Sequence, residues 1–113
     1  MITIYHNGEC SKSKGALEIL QEKNIPHEVR YYLIEPLGEN ELRELLFKLQ
    51  MPASELVRKS EPLYREQFEG KEVSEAEWIQ ILAENPILIE RPIVLNGTKA
   101  IIARPPEKVL DII

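Results

Sequence analysis

A second cysteine is what this chain most conspicuously lacks: of 113 residues only Cys10 carries a thiol, so no internal disulfide can form. That count excludes a disulfide-stapled scaffold and a Cys-x-x-Cys redox pair alike. The two histidines, His6 and His27, lie apart in sequence and with one cysteine leave no Cys/His metal site. Among only five glycines there is no phosphate-cradling loop or dinucleotide fingerprint. No apolar run is long enough to span a bilayer and no charged-then-apolar leader opens the chain, so a cytoplasmic protein without membrane association is expected. A lone thiol suits that reducing compartment. Basic residues are outnumbered 14 to 19, for a net charge of −5, which argues against broad electrostatic binding to nucleic acid or an anionic membrane. Any anion site must be local. Trp78 and the tyrosines read most simply as core or partly exposed packing residues, not as a base-stacking platform.

What is present suffices for a self-supporting core. Hydrophobic residues make up 43%, and a chain of this length buries about two-thirds of its unfolded surface without staples, so residues 1–113 are expected to form a single domain. Met1-Ile-Thr-Ile-Tyr5 reads as a strand, and Ser11 to about Asn24 as a helix with Ala16, Leu17, Ile19 and Leu20 on its apolar stripe. His27 to Leu33 alternates, placing Val29, Tyr31 and Leu33 on one strand face and completing a βαβ unit. Glu39 to Gln50 carries Leu42, Leu45, Leu46 and Leu49 at helical spacing, ended by Met51-Pro52, and Ala53 to Lys59 reads as a further short helix. Ser74-Glu-Ala-Glu77 has the spacing of a capping box before Trp78, Ile79 and Leu82. Pro92 to Ala103 reads as a hairpin turning at Asn96-Gly97 in a type I′ turn. The tail places Val109, Leu110 and Ile113 at helical spacing. This order predicts an α/β thioredoxin/glutaredoxin-like fold, with a helical insertion over about 39–85 between the βαβ unit and a C-terminal β-hairpin plus helix.

Cys10 falls where the first strand gives way to the first helix. A helix N-terminus favours thiolate over thiol, and the polar flanks Asn7-Gly8-Glu9 and Ser11-Lys12-Ser13 are turn and cap residues rather than core. The bland alternative is a buried, inert cysteine. Ser13 occupies the position that a second cysteine would hold, so any redox cycle must be closed by an outside thiol. Arg91 and Arg104 bracket the hairpin, each followed by a proline that biases it toward an extended backbone, while Arg58 follows Leu56-Val57. Guanidinium groups grip tetrahedral oxyanions through paired planar donors that lysine cannot reproduce. Single surface arginines usually do little, and spacing alone does not bring these three together. His6, by its spacing, is a satisfied histidine at a strand end, and His27 a surface residue opening a strand.

Tyr5-His-Asn-x-x-Cys10-x-x-Ser13, Leu56-Val-Arg58-Lys59 with Glu61-Pro62, Asn85-Pro-Ile-Leu-Ile-x-Arg91-Pro92-Ile-Val94 and Arg104-Pro105 together resemble the ArsC family, the glutaredoxin-coupled arsenate reductases. The resemblance runs over nearly the whole chain, and its ending at Ile113 is similar to the shorter, housekeeping-type branch. It implies that Cys10 is the catalytic nucleophile and that Arg58, Arg91 and Arg104 bind the oxyanion. It also implies that His6 supports the thiolate, with Ser13 beside it, and that Pro92 is a cis-proline. Implied too are arsenate or a similar oxyanion as substrate, glutathione as co-substrate, glutaredoxin as protein partner, a monomer, and no bound cofactor or metal. Glu9 departs from the better-known resistance enzymes, because a carboxylate before the cysteine opposes thiolate formation, although Lys12 could offset it. Two other readings stand beside this one. An Spx-like regulator that binds RNA polymerase would typically carry the Cys-x-x-Cys pair that Ser13 breaks, and a monothiol glutathione-dependent oxidoreductase would need no oxyanion.

Overall fold

The computed structural model describes residues 2–6 and 11–113, the side chains of residues 11–13 excepted. Cys10 and Glu9 therefore lie outside the described residues, as does the Ser13 side chain. The chain forms two compact units, one from its start to Glu35 plus Arg91–Ile113, the other Pro36–Glu90.

In the first unit, strands β1 (Ile2–Tyr5), β2 (His27–Arg30), β3 (Ile93–Asn96) and β4 (Lys99–Ile102) form one sheet in the order β2-β1-β3-β4. Helix α1 (Ser11–Glu22) connects β1 to its parallel neighbour β2, while β3 runs antiparallel to both β1 and β4. Ile2, Ile4 and Val94 share a sheet face and form one buried cluster with Ala16 and Leu20 of α1 and Ala103, Val109 and Ile112. This is the expected βαβ unit with a returning hairpin. Gly15 is required by a close approach: a Cβ built there would stand 2.8 Å from the Pro106 ring, a contact whose strain exceeds what alanine's helix propensity would return.

Three sequence expectations in this unit are corrected. The strand predicted to Leu33 ends at Arg30, because Ile34 and Glu35 both donate backbone N–H groups to the Tyr31 carbonyl and close a turn. The alternation is inverted as a result, with Tyr32 buried and Tyr31 and Leu33 exposed. The hairpin turns one residue later than expected. Asn96 pairs with Lys99, so Gly97-Thr98 is the loop, and the positive φ falls on its first residue, Gly97 (64°), as in a type II′ rather than a type I′ turn. Asn96 is freed for another task, its Nδ2 donating to the Ile112 carbonyl at 2.6 Å. The tail is a 3-10 helix (Pro106–Asp111), whose three-residue period buries Val109 and Ile112 and leaves Leu110 and Ile113 exposed.

The second unit is helical: α2 (Glu39–Leu49), α3 (Ala53–Leu56), α4 (Pro62–Gln67), α5 (Glu75–Glu84) and a 3-10 turn (Pro86–Leu88). Leu42, Leu45 and Leu46 are the buried stripe of α2, which Gln50 ends in a left-handed conformation. The Ser74/Glu77 capping box is present in both directions. Trp78 of α5 is buried against the rings of Tyr64 and Phe68, at centroid distances of 6.4 and 5.6 Å. Helix α3 is shorter than expected, since the backbone turns extended at Val57, which bridges Ile89. Helix α4 was not anticipated. Pro62 at its first position fixes φ and removes an N–H that no carbonyl could satisfy there.

Candidate active site

The strand register gathers several of the sequence-predicted residues at one end of the sheet. Tyr5 is paired with both Arg30 and Ile93, and His6, the next residue, donates its backbone N–H to the Arg30 carbonyl at 2.9 Å. Ile93 pairs with Ile102, and the Ala103 N–H donates to the Pro92 carbonyl at 2.9 Å. Arg91 and Arg104 stand just beyond that rung, at the end of the sheet that His6 occupies. Both Arg91–Pro92 and Arg104–Pro105 are cis, the first as the resemblance implies and the second unanticipated. Helix α1 opens with no acidic residue in its first turn, and Lys14 stands there instead, a cation where the helix dipole favours an anion. Cys10, the residue before this helix in sequence, is outside the described residues.

His6 is 4% exposed, and its Nδ1 is buried with no hydrogen-bond partner among the described residues. Its ring meets that of Tyr31 edge-on at 5.7 Å. Burial lowers its pKa below the ordinary 6.5, and the positive charge of Lys14 lowers it further. His6 is therefore a neutral imidazole at pH 7, and what it brings to this end of the sheet is a hydrogen-bonding nitrogen rather than a positive charge. Because the folded pKa lies below the unfolded one, the unfolded chain takes up the proton first as pH falls. Stability from this residue is thus present above pH 6.5 and is lost as pH falls from there through the folded pKa. We expect His6→Asn to flatten the acid limb of stability: urea midpoints at pH 7.5 and 5.0 should differ less for the variant than for the parent. Equal differences would remove His6 from the account.

Arg58 belongs to the helical unit and is held by its backbone on both sides. Its N–H donates to the Leu88 carbonyl at 2.6 Å, and its carbonyl accepts from the Glu61 N–H at 3.2 Å. One residue earlier, the Val57–Ile89 bridge fixes the direction of the segment. The side chain is 19% exposed, yet Nε and Nη1 are buried and make no hydrogen bond to any described residue. Its ion-pair partner is the Glu61 carboxylate, 3.8 Å from Nε, too far to accept a hydrogen bond. Leaving a buried donor unsatisfied costs about 1–3 kcal/mol, and more for a charged group, so a guanidinium with two such nitrogens is an arrangement a bound anion would complete.

The structure thus places His6, Pro92, Arg91 and Arg104 at one sheet end, and Arg58 in the other unit on an extended segment rather than at the end of a helix. Sequence reasoning did not find Lys14 or Glu61. Lys14 could have been flagged as a cation in a first helical turn, and Glu61 as a glutamate in an N-cap position, where serine or aspartate is preferred. Among the described residues no cluster could hold a metal ion, and no helix is long and apolar enough to cross a membrane.

The mixed four-stranded sheet, with a βαβ unit followed by an antiparallel hairpin, is a thioredoxin-like α/β fold. Within that class the ArsC family model matches residues 5–112, and the chain belongs to the ArsC family. It is 46% identical to the uncharacterized protein YfgD of Escherichia coli K12, over 99% of this chain and 96% of that one. It is 40% identical to an arsenate reductase of Haemophilus influenzae, over 99% of this chain and 98% of the relative. In structure it is similar to an arsenate reductase from Vibrio cholerae, with a TM-score of 0.94 and 38% identity, over 99% of this chain and 97% of that one.

Proposed function

We propose that this protein reduces arsenate to arsenite, with Cys10 as its nucleophile and glutathione and glutaredoxin as electron donors. The observation that carries this reading is the near-full-length likeness to the arsenate reductases of Haemophilus influenzae and Vibrio cholerae. The unspent donors of Arg58 support it independently, as does the placement of Arg91 and Arg104 together beyond one hairpin end. Arg58, Arg91 and Arg104 are assigned to oxyanion binding, and His6 to a neutral hydrogen-bonding role toward the thiolate.

The electrons balance with one protein sulfur. The Cys10 thiolate attacks arsenic and displaces a hydroxide that leaves as water, forming a sulfur–arsenic bond. The thiolate of glutathione then attacks the Cys10 sulfur. The sulfur–arsenic electron pair returns to arsenic, which leaves as trivalent arsenite, and a Cys10–glutathione mixed disulfide remains. Glutaredoxin takes the glutathione by thiol–disulfide exchange and regenerates the Cys10 thiolate. Arginine donors would neutralise the anion for attack by a second anion, a task for which fixed guanidinium forks are better suited than lysine.

The test is mass spectrometry of the protein incubated with arsenate and glutathione but without glutaredoxin. A glutathione adduct on Cys10 that requires arsenate is the expected result, and adding glutaredoxin with an NADPH-coupled reductase should turn it over. An adduct that forms equally well without arsenate would favour the monothiol oxidoreductase, and no adduct under either condition would sink both.

A further inference from the structure

We propose that Glu61 is a positioning residue for Arg58, holding its guanidinium by the Nε side so that the Nη edge is presented to an oxyanion. This rests on the anion-binding assignment of Arg58 above and deepens it.

Glu61 occupies the N-cap position of α4, yet its side chain makes no capping hydrogen bond. A glutamate there forgoes the stabilisation of about 1 kcal/mol that serine or aspartate would supply. Its carboxylate is turned instead toward Arg58, 3.8 Å from Nε, with both side chains about four-fifths buried. The backbone repeats the link, since the Glu61 N–H donates to the Arg58 carbonyl at 3.2 Å and so fixes the two residues in one turn. Pro62 then starts α4 and confines the Glu61 backbone before it to the extended region, where it lies (φ −72°, ψ 134°). The separation is an ion pair without a hydrogen bond, so Glu61 orients the guanidinium without using up its donors. What distinguishes this cap is that its carboxylate faces a buried cation instead of the helix it precedes, a local preference given up for the contact with Arg58.

The opposite role has a different signature. A carboxylate that merely competes with the anion for Arg58 would, when removed, strengthen binding. An incidental ion pair would leave anion affinity unchanged when Glu61 is removed. Sulfate is the probe, because its affinity can be measured by calorimetry without any turnover, alongside kcat and KM for arsenate. Glu61→Ala should weaken sulfate binding and raise the arsenate KM by about tenfold, the loss of one hydrogen bond to a charged group, with a much smaller change in kcat. Glu61→Gln keeps the size of the side chain but not its charge, and because the contact is an ion pair without a hydrogen bond it should weaken binding nearly as much as Glu61→Ala, which a purely structural role would not require. Thermal melting of both variants checks that the fold is intact. Unchanged or tighter sulfate binding by Glu61→Ala would overturn the proposal. Arg58→Ala, measured in parallel, separates the two possible failures. If it leaves sulfate affinity unaltered, the anion role of Arg58 falls and Glu61 with it; if it weakens binding while Glu61→Ala does not, only the positioning role falls.

Discussion

Cys10→Ser is expected to reduce arsenate-dependent NADPH oxidation, in the presence of glutathione and glutaredoxin, to background. The expected loss is on the order of 10⁴-fold or more, the scale seen when a covalent nucleophile is removed from an otherwise intact site. Two separate steps fail at once. A serine hydroxyl stays protonated at neutral pH and attacks arsenic poorly, and an oxygen–arsenic bond offers no sulfur for the incoming thiol to capture. No other residue can substitute, because the chain has no second thiol and its two methionines are thioethers without an ionisable proton. The substitution exchanges sulfur for oxygen with little change of size, so sulfate affinity should be retained in the inactive variant. Residual turnover above a few per cent of the parent would place the chemistry elsewhere and overturn the assignment of Cys10.

The fold was readable wherever local sequence and tertiary environment ask for the same thing. Ser74 and Glu77 specify a helix start by hydrogen bonds within four residues, and the leucine spacing of α2 specifies its buried face. The misreadings share a cause. Tyr31, Tyr32 and Leu33 are three strand-favouring residues in a row, and the periodicity does not reveal that Tyr32 is the one drawn into the core while the backbone folds into a turn. Val57 and Arg58 continue a helical pattern, but a distant partner, Ile89, offers a bridge and wins. The hairpin was evident from Gly97, but which residues flank the loop depends on a register set by the pairing of β3 with β4 and by the bond from Asn96 to the tail.

Site chemistry divided along the same line. Arg91-Pro92 and Arg104-Pro105 were legible as a pair because a hairpin returns its two ends to one place. The neutral state of His6 was not, since it follows from burial and from Lys14, eight residues away. Nor was Glu61, whose significance is a side chain that fails to cap its own helix and faces an arginine instead.

Arg58→Ala is the second change expected to have a large effect, lowering kcat/KM for arsenate by about 10² to 10³, the range found when one donor to a developing oxyanion is removed. The expectation follows from how little freedom Arg58 has. Its backbone is fixed by Leu88 and Glu61, the neighbouring bridge to Ile89 sets the path of the segment, and the side chain is four-fifths buried beside the Glu61 carboxylate, which limits the guanidinium's freedom before any ligand arrives. Donors fixed in advance stabilise charge without reorganising at the moment of reaction. Two of its nitrogens are already out of contact with solvent and carry no hydrogen bond to the described residues, so most of the desolvation cost of binding is met in the folded protein itself. Removing the side chain should therefore stabilise the fold or leave it unchanged while weakening anion binding. A residue that served only packing would show the reverse. Arg58→Lys sharpens the comparison, since it keeps the charge but replaces a planar fork with a single ammonium, and it should recover only a minor part of the lost rate. If lysine restored full activity, charge alone would be the requirement and the geometry around Arg58 would be incidental. If both variants kept parental kcat/KM and sulfate affinity, Arg58 would have no part in oxyanion binding.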